Sequence, residues 1–331
     1  MRAQSSPPTT SETDPLLRPE SAEFAVRLEK NRRHLRKWLR NHSVSCYRLY
    51  DRDVPGFPYS IDVLEEHVVI SEFETAPRSD LELRDARLAD ALKILQRSFG
   101  LPRSHLHLKT RRRKEGLLQY QKLGRKSVTT LVREGGHRFL VNLSDYLDVG
   151  IFLDHRDTRA LIHKLSPGRR FLNLFCYTAT ASVYAVKGGA TTTTSVDLSK
   201  TYLDWAVKNF ELNGITGKTH RLVHADCMEW LRKDEGSYDL VFVDPPTFSN
   251  SKRMQDLFDL KKTHVELLDL VSRRLGPEGT ILFSTNSQRF KVDAAALPHL
   301  ELRDITRATI PKDFERNPKV HQCWRITRSE D

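Results

Sequence analysis

Three acids stand where short apolar runs end, and their spacing matches what chemistry at the edge of a sheet requires. Asp197 lies in TTTSVDL (192–198), 24 residues after Asn173. Asp226 closes HRLVHAD (220–226), and Asp244 ends the apolar run of YDLVFVDPP (238–246), followed by Pro245, Pro246, Thr247 and Phe248. An earlier run, RFLNLFCY (170–177), delivers Asn173, Phe175, Tyr177 and Thr178 into a helix. A carboxylate ending the second run can accept from both hydroxyls of a ribose. One after the third can accept from the exocyclic amine of adenine. Asp-Pro-Pro sets a carboxylate on a rigid turn at the pocket mouth, beside a slot the size of a base. Each acid alone also reads as an ordinary cap, Asp226 above all because a helix follows it. The order of all four strand ends is what points to an adenosine-bearing cofactor. No GxGxxG follows the first run, so nothing admits a pyrophosphate. That disfavours NAD and FAD and favours S-adenosylmethionine, which carries no phosphate.

A second constellation is cationic. Between 103 and 126, nine Lys and Arg stand against Glu115 alone. Lys109, Arg111, Arg112, Arg113, Lys114 and Lys122, with Tyr120 among them, combine charge and an aromatic ring for gripping phosphates and stacking on bases. The competing reading is a solvated loop. Lys252 and Arg253, just past the Asp-Pro-Pro turn, are placed to hold flanking phosphates. Of the net +11, most lies in residues 1–165, with 30 Lys/Arg against 22 Asp/Glu; residues 166–331 hold 24 against 21. A basic half and a chemistry half are expected, with a polyanion as partner.

The same counts exclude other classes. The chain of 331 residues has no apolar run long enough for a membrane span. Its polar start, MRAQSSPPTTSETDP, lacks the apolar core of a secretory signal. Four cysteines lie far apart with no CxxC, so neither a metal site nor a disulfide framework is expected, and a reducing cytoplasm suits them.

The elements that must position these residues fall into two grammars. Residues 1–20 read as a disordered tail, and 21–145 as a small α+β RNA-binding domain. Its helices are expected at 22–42 and 80–99, and its strands at 46–51, 59–73, 105–111 and 137–144. Residues 146–331 alternate strand and amphipathic helix, which means an α/β domain with a parallel sheet covered on both faces. A long helix is expected at 255–275, stopped by Gly276 and Pro277, then a strand at 279–287. ELRDITRATI and HQCWRITR are the expected last strands.

DYLDVGIFLDHR (145–156), FLNLFCYTATASV (171–183), VDLSKTYLDWAVKNFELNG (196–214) and FVDPPTFSNSKRM (242–254) resemble bacterial class I S-adenosylmethionine-dependent methyltransferases of 23S rRNA. The nearest type is the guanine-N7 enzyme, the RlmK-type half of a fused protein. CYRLYD (46–51), QYQKLG (119–124) and NPKVHQCWRIT (317–327) extend the resemblance over roughly residues 21–328. It implies a Rossmann-like class I sheet preceded by the small α+β domain. It also implies that Asp154, Arg156, Asn173, Tyr177 and Thr178 line the methionine end of the cofactor, Asp197 holds the ribose, and Asp226 and Cys227 flank the adenine. Phe175, in the same loop, joins the cofactor set. Asp244, Pro245, Pro246 and Phe248 then face the target base. Ala179 stands where the family has glycine, so a reshaped turn is expected. The partner implied is 23S rRNA or a large-subunit precursor. A separate guanine-N2 methyltransferase protein is a further expected partner, since the fused half is not found in residues 1–20.

Cysteine placement separates the chemistries. Methylating C5 of a pyrimidine needs a thiolate adduct, but the end of the fifth strand reads Ser284-Thr285-Asn286-Ser287. Cys176 and Cys227 read as small buried residues. Guanine N7 has a free lone pair and needs no base catalyst, only alignment. Asp244, Asn286 or the Pro245 carbonyl can accept from guanine N1 and N2 hydrogens, and Phe248 can stack on the ring, although core packing is its bland alternative. Two other readings stay open: an exocyclic-amine methyltransferase for guanine N2 or adenine N6, disfavoured by Thr247 after the prolines, and a silent RNA-binding assembly factor.

Overall fold

A computed structural model describes residues 18–73, 81–111, 127–249 and 258–329. The tail expected at 1–20 falls almost wholly outside them. So do Arg112, Arg113, Lys114, Tyr120, Lys122, Lys252 and Arg253.

The described residues open with α1 (Pro19–Asn41), whose proline occupies a first-turn position where no N–H is needed. Phe24, Leu28 and Leu35 recur at helical spacing and are buried. They close over a sheet of β1 (Cys46–Asp51), β2 (Tyr59–Leu64) and β3 (His67–Phe73), paired antiparallel. After α2 (Leu81–Phe99), β4 (Leu106–Arg111) joins β3 in parallel. Phe24 stacks on Phe57 with centroids 4.6 Å apart, so the Pro-Gly-Phe-Pro turn is pinned into this core.

β5 (Thr129–Glu134) and β6 (His137–Asn142) form a separate hairpin. Its turn is Gly135-Gly136, φ 58° and 81°, the left-handed pair that matches strand twist in a two-residue hairpin. The expectation covered only the second strand, although the Gly-Gly signal was present.

Next come α3 (Arg156–Leu165), β7 (Arg170–Leu174), α4 (Thr180–Lys187), β8 (Thr192–Asp197), α5 (Lys200–Leu212), β9 (His220–His224), α6 (Cys227–Lys233) and β10 (Tyr238–Val243). A two-residue pair, β11 (Phe248–Ser249) with β12 (Phe258–Asp259), leads into α7 (Leu260–Ser272) and β13 (Leu275–Thr285). β14 (Leu300–Asp304), α8 (Thr306–Thr309) and β15 (Gln322–Arg328) finish the fold. The sheet runs β14-β15-β13-β10-β7-β8-β9, parallel from β9 to β13, with β15 antiparallel to both neighbours. This is the α/β arrangement expected from the alternating pattern. Residues alternate between its faces. Leu172, Val241, Val243 and Phe283 meet Leu231, Leu267 and Val271 on one side. Phe171, Leu240, Phe242 and Leu282 meet Ile162, Ala181 and Ala185 on the other. β8 and β10 leave β7 on opposite sides, so the order reverses there and leaves a crevice at the strands' carboxyl ends.

Three expectations need correction. The strand expected at 59–73 is two, β2 and β3, because the chain turns at Glu65 and Glu66 and pairs with itself. The long helix is shorter, because Asp259 caps α7 by accepting from the Lys261 N–H, and Gly276 and Pro277 lie inside β13 rather than ending a helix. A register shift between Tyr238 and Leu240 accommodates them opposite β10. In ELRDITRATI the strand stops at Asp304, whose carboxylate accepts from the Thr306 N–H at the start of the short α8.

The small sheet and the hairpin do not stand apart. Cys46, Leu64, Val69, Val132 and Phe139 share one core with Val183, Tyr184 and Phe210 from α4 and α5. The 312–317 segment adds polar ties: Asp313 accepts from the Arg48 N–H, Arg316 pairs with Asp53, and Asn317 donates to Asp51.

Candidate active site

The loop after β7 alternates left-handed and ordinary backbone. Phe175, Tyr177 and Ala179 take φ of 56°, 52° and 56°. Each left-handed non-glycine residue costs about 1–2 kcal/mol. Ala179 therefore adopts a left-handed backbone that glycine takes without strain.

Hydrogen bonds from the neighbouring strand ends hold this loop. The Tyr177 N–H donates to Asp197 Oδ2 at 2.9 Å, and the Ser199 N–H to Oδ1 at 2.8 Å. The Cys176 N–H reaches the Val196 carbonyl, and the Phe175 N–H the Cys227 sulfur at 3.3 Å. The Ala225 N–H donates to the Asp197 carbonyl, tying in the end of β9. The ends of β7, β8 and β9 thus form one rigid floor. Burial pushes the Asp197 carboxyl up to about 6, although the two amides favour its charged form. Tyr177 is edge-on to Tyr202 at 4.4 Å and tilted against Phe152 at 5.0 Å, and burial raises its hydroxyl well above normal.

Asp226 is the N-cap of α6, accepting from the Glu229 N–H at 3.0 Å, as its position before a helix allows. It is half-buried, so capping leaves part of the carboxylate facing solvent. Phe175 is half-buried against Phe258. At the end of β10, Asp244 and Pro246 are half-buried and Pro245 is buried. The Asn286 side-chain oxygen accepts from the Thr247 hydroxyl at 2.7 Å, which leaves its amide NH2 as a donor.

Several expected cofactor residues turn inward instead. Asn173 is 1% exposed and donates to Ser182, which bonds Ser195 beneath the loop. The Thr178 hydroxyl is bound by the Gly150 carbonyl at 2.6 Å. Cys227 is buried under Phe175, and burial raises its thiol and that of Cys176 well above normal, as suits packing rather than nucleophilic residues. Arg156 departs furthest. Its guanidinium pairs with Asp313 at 2.6 Å, donates to the Cys46 carbonyl and lies over Trp38. It joins the small sheet to α3 rather than lining the strand ends, because two buried carboxylates, Asp313 and Glu134, hold it there.

Lys109 corrects the cationic assignment as well. It is 4% exposed, and its ammonium donates to the Asn142 and Tyr146 carbonyls. A strand alternates its side chains, and this one faces the hairpin. Arg111 ends β4, and its side chain lies outside the described set.

Sequence reasoning missed His155 and His321. Asp154 accepts from His321 Nδ1 at 3.1 Å, and His155 Nε2 sits 3.3 Å from Asp244 Oδ2. The two imidazoles stack with centroids 4.7 Å apart at 7°. Both histidines lie inside quoted motifs, LDHR and KVHQC, so the signal was present but unassigned. His155, His321 and Arg48 hold Asp154 well below the usual carboxylate range despite burial. Two cavities, of about 380 Å³ beside Trp230 and about 300 Å³ between Trp38, Arg133 and Arg156, include none of the strand-end acids. Among the described residues no helix is long and apolar enough to cross a membrane.

Residues 72–315 match a family described as S-adenosylmethionine-dependent methyltransferase. The chain is 50% identical over 304 residues to the ribosomal RNA large subunit methyltransferase K/L of Pseudomonas aeruginosa, covering 92% of this chain and 42% of that protein. It is 48% identical over 305 residues to the protein of the same name in Syntrophotalea carbinolica, covering 92% and 43%. The chain thus spans less than half the length of these curated relatives. In fold it is similar to SMU.776, a methyltransferase complexed with SAH, with a TM-score of 0.72 and 24% identity over 95% of this chain and 83% of that one.

Proposed function

The chain belongs to the S-adenosylmethionine-dependent methyltransferase family, and on that premise we propose that it methylates N7 of a guanine in 23S rRNA, by direct transfer without a covalent enzyme–base adduct. Its sheet is the Rossmann-like class I sheet of such enzymes, and S-adenosylmethionine is its cofactor. The observation that supports guanine as the base is the Asp244 turn, where a partly exposed carboxylate and the Asn286 amide stand at the ends of β10 and β13; Thr247 directly after the prolines, where exocyclic-amine enzymes carry an aromatic residue, favours N7 over N2. A carboxylate accepts from guanine N1–H and the N2 amine, and an amide NH2 donates to O6. Adenine reverses donor and acceptor at positions 1 and 6 and has no amine at position 2.

The donor set fits the cofactor. Asp197, fixed by two backbone amides, accepts from ribose hydroxyls; Asp226 faces the adenine amine; the loop at 175–179 and Tyr177 close the methionine end. The bound cofactor supplies an electrophilic methyl group on a sulfonium. N7 of guanine holds a free lone pair, so no residue of this chain has to remove a proton, and its task is to hold the base in line. All four cysteines are buried and unpaired, in keeping with a mechanism that uses no thiolate. In A-form RNA the N7 edge lies in a deep groove, so the base is taken unpaired or flipped out. Residues 111–126 and 252–253 supply the phosphate contacts in this reading.

The test is mass spectrometry of nuclease-digested 23S rRNA from a strain lacking this gene. One N7-methylguanosine should disappear and return on complementation. An unchanged modification profile removes the guanine-N7 assignment, and loss of an N2- or N6-methylated nucleoside installs the exocyclic-amine alternative.

A further inference from the structure

Asp244 is held from behind. Its side chain is 23% exposed, and Oδ2 faces the Nε2 of His155, whose side chain is 8% exposed. The two prolines after Asp244 stiffen the backbone but leave the carboxylate free to rotate about its own bonds. A partner must fix those angles, and the described residues offer Asp244 only His155. We propose that His155 is the positioning residue that orients Asp244 toward the target base, its ring set by His321. The inference rests on the base-facing reading of Asp244 above.

The support around His155 is aromatic on its faces and ionic at Nε2, and its buried Nδ1 meets no hydrogen-bond partner among the described residues. It ends a 3-10 turn (Leu153–His155) at the start of α3. One face of its ring stacks on His321, and Phe242 meets it edge-on at 5.9 Å. His321 is fully buried and fixed at both nitrogens, Nδ1 to Asp154 and Nε2 to Thr309 Oγ1 at 3.1 Å. The near-parallel ring planes argue against shared metal ligation, because a metal must lie close to the plane of each imidazole it binds. The charged and titratable groups facing His155 are Asp244, Asp154, His321 and Arg159. Burial disfavours its cation, but Asp244 and Asp154 outweigh burial and Arg159, so it holds its proton to higher pH than a free histidine. A charged donor grips a carboxylate more strongly than a neutral one. As pH rises and His155 loses its proton, the grip weakens.

The test has two arms. In the first, 15N-edited NMR follows histidine titration in the whole protein with S-adenosylmethionine bound. Asp244→Asn should lower the His155 midpoint by about one pH unit, and no movement overturns the pair. In the second, total methyl transfer to large-subunit rRNA is followed with labelled donor, whichever atom receives it. His155→Phe, checked to be folded, should lower kcat by at least about tenfold while cofactor affinity changes by less than about twofold. His155→Gln keeps a neutral donor; it should recover much of kcat and lose the alkaline fall of the wild-type pH profile. Wild-type kcat in His155→Phe, or an unchanged alkaline limb in His155→Gln, overturns the positioning role. A wild type that methylates no rRNA, while Asp244→Asn still moves the titration, removes the base reading and leaves the pair standing.

Discussion

Asp197 accepts the Tyr177 N–H at 2.9 Å, so the carboxylate proposed to hold the ribose also shapes the loop proposed to hold the methionine end. Asp197 lies at the end of β8 and Tyr177 three residues past the end of β7. Binding and loop geometry are therefore one property here.

That coupling has a pH signature. Burial places the Asp197 carboxyl at about 6, so the ionised form dominates above that pH and the protonated form below it. Only the ionised form accepts from both ribose hydroxyls. Calorimetric affinity for S-adenosylmethionine should be flat above pH 7 and about tenfold weaker at pH 5. Asp197→Asn should bind at least about tenfold more weakly and lose this dependence. Equal wild-type affinity at pH 5 and pH 7 contradicts the ribose assignment.

Gly150 should tolerate no side chain. Its φ is +106°, and an added Cβ would fall 2.1 Å from the Trp205 ring. Its carbonyl also binds the Thr178 hydroxyl. Gly150→Ala should cost about 2–4 kcal/mol in urea unfolding and weaken cofactor binding through the loop. A variant as stable as wild type refutes this close packing.

Two cations close in sequence should behave in opposite ways. Lys109, with its ammonium on two backbone carbonyls, should cost about 2–3 kcal/mol of stability as Lys109→Met and leave the salt dependence of RNA binding unchanged. Charge reversal at Arg111, Arg112 and Arg113 should reduce that salt slope by about two to three, with little effect on stability. The opposite pattern would make Lys109 the RNA contact.

Arg156 should act at the seam rather than on the cofactor. Arg156→Met leaves Asp313 buried without its cation and should cost about 3–5 kcal/mol. Arg156→Met with Asp313→Asn should recover part of that. A tenfold loss of cofactor affinity at unchanged stability would return Arg156 to the cofactor site.

The strand-end acids and the alternating sheet were legible in the sequence because both are local. A buried strand announces itself by composition, and the residue that follows it must lie at the sheet's edge. The acids at the ends of β8, β9 and β10 therefore needed no tertiary information to be placed. The Ala179 backbone was half legible: the turn was located, but whether alanine would reshape it depended on whether its neighbours could impose the left-handed conformation.

What the tertiary structure decided is where each side chain points and what it meets. Arg156 was indistinguishable from a ligand-binding arginine until Asp313, 157 positions away, appeared beside it. Lys109 belonged to a basic run until the pleat turned it toward the hairpin. His321 lies 167 positions from Asp154, and nothing local links the two. The physical reason is common to all three. A charge or an imidazole carries the same label in sequence whether solvated or buried, and only the fold supplies the carboxylates and carbonyls that make burial tolerable.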